Sequence, residues 1–280
     1  MGKIIGIDIG GSTTKIVGFD GNAMITPLLV RANDPIASVY GAFGKFLNIH
    51  SFKIDDIERI MITGVGSSFI NNKLFGIPTG KVDEFMAIGM GGLFLSNLHK
   101  AIIVSMGTGT ALVKAEGNTA VHLGGTGVGG GTLLGLSNRM LNVRNFDELI
   151  EAANGGDLSH VDLTIGDISK EVLETLPSET TASNFGKISD LVSKSDLAMG
   201  IINLVFQTIG MIAVFNTRID KIKDVVLTGN LTNVPQADHI FSQLSKLYDV
   251  NFQTPQNAEY ATAVGAAKCF TQNVAYREVL

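Results

Sequence analysis

The chain has 280 residues, of which 45% are hydrophobic and 17% charged; this is enough apolar material for one large domain or two moderate ones, and it excludes a disordered chain. A net charge of −5 argues against a nucleic-acid partner, which needs a basic face. The single cysteine, Cys269, excludes an intramolecular disulfide and a cysteine-rich metal site, and its apolar surroundings predict a buried thiol.

Residues 4–8, 14–19 and 23–29 read as strands, with Asp20-Gly21-Asn22 as the hairpin signal between the last two. The first ten residues lead straight into a strand without a targeting signal, so the expected compartment is the cytoplasm. Asp34 and Pro35 open a helix to about residue 48, as cap and first-turn proline. Residues 59–63 form a buried strand ending at Gly64, and Gly66-Ser67-Ser68 cap a short helix. A longer helix spans residues 84–98, weakened in propensity by Gly89, Gly91 and Gly92. This order describes half of an α/β structure with a mixed sheet.

A second half starts at Ala101 with another hairpin. Glycines crowd residues 124–135, where the pattern predicts a loop through Gly129 and a helix starting around Gly130. A short helix over 146–153 follows Asn145, and residues 154–183 form a polar excursion with few signals. Helices are expected at 184–193 and 196–217, a strand at 224–228, a helix near 235–247, an extended piece near Asn251 and a helix over about 260–271. Residues 197–215 carry no charge over nearly a membrane-spanning length. Their Gly200, Asn203, Gln207, Thr208 and Gly210 point instead to a helix buried between a sheet and its neighbours. The break near residue 100 divides the chain into lobes of residues 1–100 and 101–280 sharing a hinge.

One hairpin design is written twice. Asp8-Ile-Gly-Gly-Ser-Thr-Thr-Lys15 and Gly107-Thr-Gly-Thr110 each join two apolar strands through a turn of glycine and hydroxyl residues. Glycines let backbone approach phosphate oxygens, and turn N–H groups with hydroxyls donate to them. Two such turns suggest a cleft that clamps a nucleotide. Asp8, at a strand end, is placed to hold Mg²⁺. Lys15 can bring positive charge to the β- and γ-phosphates. Thr108, Gly109 and Thr110 form the second turn, and a helix starting at Gly130-Gly131-Thr132-Leu133-Leu134 offers N-terminal N–H groups to an anion. Asn230, after another strand and glycine, marks either the adenosine end of the ligand or an ordinary strand-to-helix turn. Glu84 reads as either the base for a hydroxyl nucleophile or a solvated helix start, with Asp83 as the cap. The five histidines lack metal-ligand spacing, and no Walker A pattern is present.

These residues, with Val82-Asp-Glu-Phe85, Gly129-Gly-Gly-Thr-Leu-Leu-Gly135, Asn154-Gly-Gly-Asp157, Val161-Asp-Leu163, Thr181-Ala-Ser-Asn-Phe-Gly186 and Ala263-Val-Gly-Ala266, make the chain resemble type II pantothenate kinases nearly end to end. The resemblance implies an α/β, two-lobed actin-like ATPase (ribonuclease H-like) fold with duplicated mixed-sheet domains. It also implies ATP and Mg²⁺ as cofactors, phosphorylation of the primary hydroxyl of pantothenate, and a homodimer. ATP would be bound by Asp8, Ile9, Gly10, Gly11, Ser12, Thr13, Thr14, Lys15, Thr108, Gly109, Gly130, Gly131, Thr132, Leu133, Leu134, Phe146 and Asn230. Glu84 would be the proton acceptor, and His122 and Thr181 would face the substrate. Where the family usually carries an arginine, this chain has His122, which is shorter and mostly neutral at pH 7. A kinase of a related alcohol, pantetheine or a sugar, stays open on that ground. So does an ATPase that activates a partner, like dehydratase activators, although those carry a cysteine-ligated iron–sulfur cluster.

Overall fold

The computed structural model describes residues 2–11, 13–31, 34–169 and 177–279. Strands β1 (Lys3–Ile9), β2 (Thr13–Asp20) and β3 (Ala23–Arg31) form an antiparallel meander, crossed by helix α1 (Pro35–His50). Asp34 caps α1 by accepting the Ala37 N–H at 2.8 Å. Strand β4 (Ile57–Thr63) returns parallel to β1, β5 (Thr79–Lys81) runs parallel to β4, and α2 (Glu84–Ser96) leaves the sheet. The second round opens with β6 (Lys100–Met106), β7 (Thr110–Glu116) and β8 (Thr119–Thr126), then α3 (Gly130–Leu141) and α4 (Phe146–Ala152). A small excursion holds β9 (Leu163–Thr164), α5 (Ile165–Ile168) and β10 (Thr181–Ser183). The long α6 (Lys194–Asp220), β11 (Asp224–Thr228), α7 (Gln236–Tyr248) and β12 (Asn251–Gln253) follow, and α8 (Ala261–Thr271) and β13 (Arg277–Val279) end the fold.

The larger sheet has strand order β13-β5-β4-β1-β2-β3, the second β12-β11-β6-β7-β8, and β9 pairs with β10 alone. The end of the chain therefore returns to the first sheet: β13 pairs with β5, and α8 packs on β1 and β4. Helices α2 and α8 lie side by side, and α2 also meets β6, β7 and β8 of the second sheet. That double burial explains why α2 is apolar all round rather than on one stripe. Its glycines serve the crossing: a Cβ on Gly91 would overlap the Ala261 carbonyl, and one on Gly265 the Ala87 carbonyl. The backbones approach so closely that the gain in packing outweighs glycine's poor helix propensity.

Three expectations are corrected. Residues 184–193 are not a helix: the Phe185 N–H and Asn184 Nδ2 donate to the buried Asp162 at 2.8 and 3.1 Å, Phe185 takes φ 59°, and Ser193 caps α6. Residues 124–126 continue β8, because the partner strand β7 supplies the ladder that a glycine-rich sequence does not advertise. Gly66, Ser67 and Ser68 lie inside a 3-10 turn, Val65–Phe69, instead of capping a helix. Helix α6 is long and apolar enough to cross a membrane by length and composition alone. Its buried side chains, among them Ile201, Ile202, Val205, Phe206 and Ile209, join the core under the second sheet with α3, α4 and α7. Cys269 is fully buried on α8, and burial pushes its thiol up to about 12.

Candidate active site

The register of β1 against β2 places Asp8 opposite Lys15, and that of β1 against β4 places it opposite Thr63. The turn between them is tight, with the Gly10 N–H donating to the Thr13 carbonyl at 2.9 Å. Gly64 follows β4 at φ 84°, where a Cβ would stand 2.5 Å from Asp8 Oδ1. Only glycine satisfies both the left-handed backbone and the contact. Burial raises the pKa of Asp8 against the pull of Lys15. Burial likewise lowers that of Lys15, opposed by Asp8 and then Glu259. Not every predicted contact points outward. Ile9 is in the core, and the Thr14 hydroxyl is buried, accepting from Ser38 Oγ at 2.6 Å. Both can serve a ligand only through backbone. Ser12 lies outside the described residues.

The second turn and the glycine-rich helix form one braced unit. The Gly130 N–H donates to the Gly107 carbonyl and the Gly131 N–H to the Thr108 carbonyl, both at 2.9 Å. These two N–H groups therefore hold the turn instead of standing free for an anion, contrary to expectation. The physical reason is that a helix start packed against a second loop satisfies its orphan donors there. Thr132 Oγ1 donates to the Gly127 carbonyl and accepts the Gly129 N–H, while Thr110 Oγ1 donates to the Val128 carbonyl. Leu133 is buried, Leu134 half-buried, and Thr108 and Gly131 exposed beside half-buried Gly109. A Cβ on Gly130 would lie 3.2 Å from Phe146 and 3.5 Å from Leu231, so Phe146 and the turn carrying Asn230 border the same spot.

The turn carrying Asn230 is tied to the first turn through the 3-10 turn Ala258–Tyr260. The Gly229 N–H, next to Asn230, donates to the Ala258 carbonyl at 3.0 Å, and the following Glu259 acts on Lys15. Glu84 begins α2, fixed by Asp83, which accepts the Met86 N–H at 3.0 Å. Burial raises its pKa most, and the charges of Asp8 and Asp83 raise it further. Glu84 thus shares the field of the first turn. His122 reaches the same end of α2, its ring stacked on Phe85 with centroids 3.8 Å apart. Thr181 stands apart, on β10, where its hydroxyl accepts from Asn203 Nδ2 at 3.4 Å; no contact joins it to Glu84 among the described residues. Sequence reasoning missed Gly64, Glu259 and Phe85 as neighbours of the site. Gly64 alone had a signal, standing directly after a buried strand.

A family model described as Fumble matches residues 93–268. The chain belongs to the Fumble family. It is 29% identical to a type II pantothenate kinase of Bacillus cereus over 95% of this chain and 98% of that protein. Among solved structures it is similar to component A of the (R)-2-hydroxyglutaryl-CoA dehydratase of Acidaminococcus fermentans, with TM-score 0.67 and 20% identity over 95% and 96% of the two chains. It is equally similar to the activator of the 2-hydroxyisocaproyl-CoA dehydratase of Clostridium difficile with bound ADPNP, with TM-score 0.68 and 16% identity over 98% of each. At that identity the shared property is the fold, a two-lobed actin-like ATPase architecture.

Proposed function

We propose that the chain is an ATP-dependent pantothenate kinase that forms 4′-phosphopantothenate. The observation that carries this reading is Glu84 at the start of α2, a carboxylate whose pKa is raised by burial and by the charge of Asp8 in the first turn. Family membership and the near full-length likeness to the Bacillus cereus enzyme support the choice of acceptor. In this reading Glu84 takes the proton of the primary hydroxyl as its oxygen attacks the γ-phosphorus, and ADP leaves with the electrons of the broken bridging bond. A raised pKa makes Glu84 a stronger base than an ordinary carboxylate. Lys15 stabilises charge on the phosphates, and residues 8–15, Thr108, Gly109, Phe146 and Asn230 hold the nucleotide, with Ile9 and Thr14 contributing backbone alone and the start of α3 bracing the second turn.

Asp8 would hold Mg²⁺. Its half-buried carboxylate, disfavoured as an anion, is the kind of oxygen ligand that a hard cation relieves. Among the described residues no three His, Cys, Asp or Glu side chains group as a cage, and Mg²⁺ needs only one or two carboxylates beside waters and phosphates. Bound there, it would neutralise charge on the β- and γ-phosphates. The lobes in this reading divide near residue 100, with α8 and β13 crossing back. The protein acts as a cytoplasmic homodimer, and Phe215 and Ile219 of α6, both more than half exposed, give an apolar strip for a second copy.

His122 in place of a fixed cation favours one alternative, a kinase of pantetheine or a sugar. Coupled measurement of ADP release over these three acceptors, with mass spectrometry of the products, decides between them. Turnover with a sugar or pantetheine and none with pantothenate would overturn the proposal.

A further inference from the structure

Phe85 is the second residue of α2, directly after Glu84, and its backbone is fixed by the Asp83 cap. Its half-buried ring packs against the cluster of Ile88, Ile103 and Val113 between the sheets. His122 stands on the edge strand β8, opposite Val113 and next to the irregularity that leaves Leu123 without a β7 partner. The two rings lie face to face, 3.8 Å apart and only 11° from parallel. His122 is exposed, and among the described residues this stack is the one interaction its side chain makes.

An exposed side chain without a hydrogen bond ordinarily samples several rotamers, and fixing it on ligand binding costs free energy. Stacking on a ring that is itself held by the core removes that freedom beforehand. It also leaves both ring nitrogens, one donor and one acceptor in the neutral imidazole, available to a ligand. The base belongs to the end of α2 that shares the field of the first turn, whereas His122 belongs to the second sheet. The Phe85 ring, next in sequence to the base, links the two.

We infer that Phe85 is a positioning residue for the acceptor: stacked on His122, it holds that imidazole at the end of α2 that carries Glu84 and so sets acceptor affinity. This rests on the kinase reading above. The acceptor bound here is an alcohol that carries a neutral polar group, which the imidazole meets while Glu84 meets the hydroxyl.

The test is a double-substitution cycle on the full chain with pantothenate and Mg·ATP as substrates. Phe85→Leu keeps apolar volume but loses the stack, and it should raise KM for pantothenate roughly three- to tenfold, the scale of one aromatic pair. KM for ATP and kcat should stay within about twofold, because the positioned imidazole belongs to acceptor binding alone. Phe85→Tyr, which keeps the stack, should restore the wild-type KM. In the His122→Ala background, Phe85→Leu should add nothing further. Additive effects, or equal changes in both KM values, would assign Phe85 to packing only and overturn the inference. Should the leucine variant not fold, Phe85→Met takes its place in the same cycle. A wild type that never phosphorylates pantothenate would bring down the kinase reading and this inference together. An active wild type with an additive cycle would bring down the inference alone.

Discussion

At the scale of single residues, burial separates groups that can act from groups that only support. Glu84 is the carboxylate at the end of α2 whose proton affinity is raised by burial and by Asp8 and Asp83. Glu84→Gln keeps the shape and the helix start but cannot accept a proton. Phosphoryl transfer should fall about 10²-fold or more, with ATP affinity nearly unchanged; near-normal turnover in a folded variant would remove Glu84 from the mechanism. Gly11 makes a different argument. A Cβ there meets nothing within 4 Å, so the fold itself does not require glycine at that position. Gly10 differs, since its Cβ would press on the Thr13 carbonyl at 2.9 Å. Gly11→Val should therefore leave stability without nucleotide within about 0.5 kcal/mol and weaken ATP at least about tenfold by blocking close approach to the turn. Calorimetric titration checks it, and unchanged affinity would place the nucleotide elsewhere. Gly130 is a poorer probe, because a side chain there would meet the Gly107 carbonyl at 3.0 Å and disturb the loop's own packing.

At the scale of elements, the start of α6 carries a pH-dependent anchor. Asp196 accepts the Asp157 N–H at 2.8 Å, the Ser193 N–H at 3.2 Å and His160 Nδ1 at 3.2 Å. The Asp157 bond is the largest cause holding its carboxyl down at about 2, below the ordinary 3.8. A depressed carboxyl stabilises the fold above its unfolded pKa and loses that contribution as pH falls from about 4 through about 2. Asp196→Asn should cost about 1 kcal/mol at pH 7, and the difference from wild type should shrink as pH falls through that window. Urea titrations at several pH values measure it; an offset independent of pH would show that ionisation is irrelevant there. Strands β1 to β4, β6, β7 and β11 and most helices were legible because their signals are local: alternation, the Asp34-Pro35 and Asp83 caps, and the Gly-Asn turns; β8, β9, β10 and β13 carry no such local signal. The expected helix over 184–193 failed because Asp162, some twenty residues earlier, claims the backbone of Phe185. The glycine-rich start of α3 was legible as a helix but not as a brace, since its partners Gly107 and Thr108 sit on another loop. Nothing local announces that Phe85 and His122 meet, because each is an ordinary residue of its own element.

At the scale of the whole molecule, the two sheets do not stand as independent units. Helix α2 contributes to the core on both sides, with Ala87 and Met90 toward α8 and the first sheet and Ile88 and Leu93 toward the second. The Gly229–Ala258 bond links the loop after β11 to the turn that leads into α8. A nucleotide held by both phosphate turns would add a further bridge between the sheets, so its binding should stabilise the molecule as one body. At a hundredfold excess over its Kd, a ligand that binds only the native state adds about 2.7 kcal/mol. For a chain of this size that corresponds to a rise in Tm of roughly 5 °C. Calorimetric melts with and without Mg·ATP should therefore show one transition that moves upward in the wild type. At the same ATP concentration the transition of Gly11→Val should move much less. If the protein instead melted in two transitions and ATP raised only one, the nucleotide would be held by a single lobe, and the second turn would have no part in binding it.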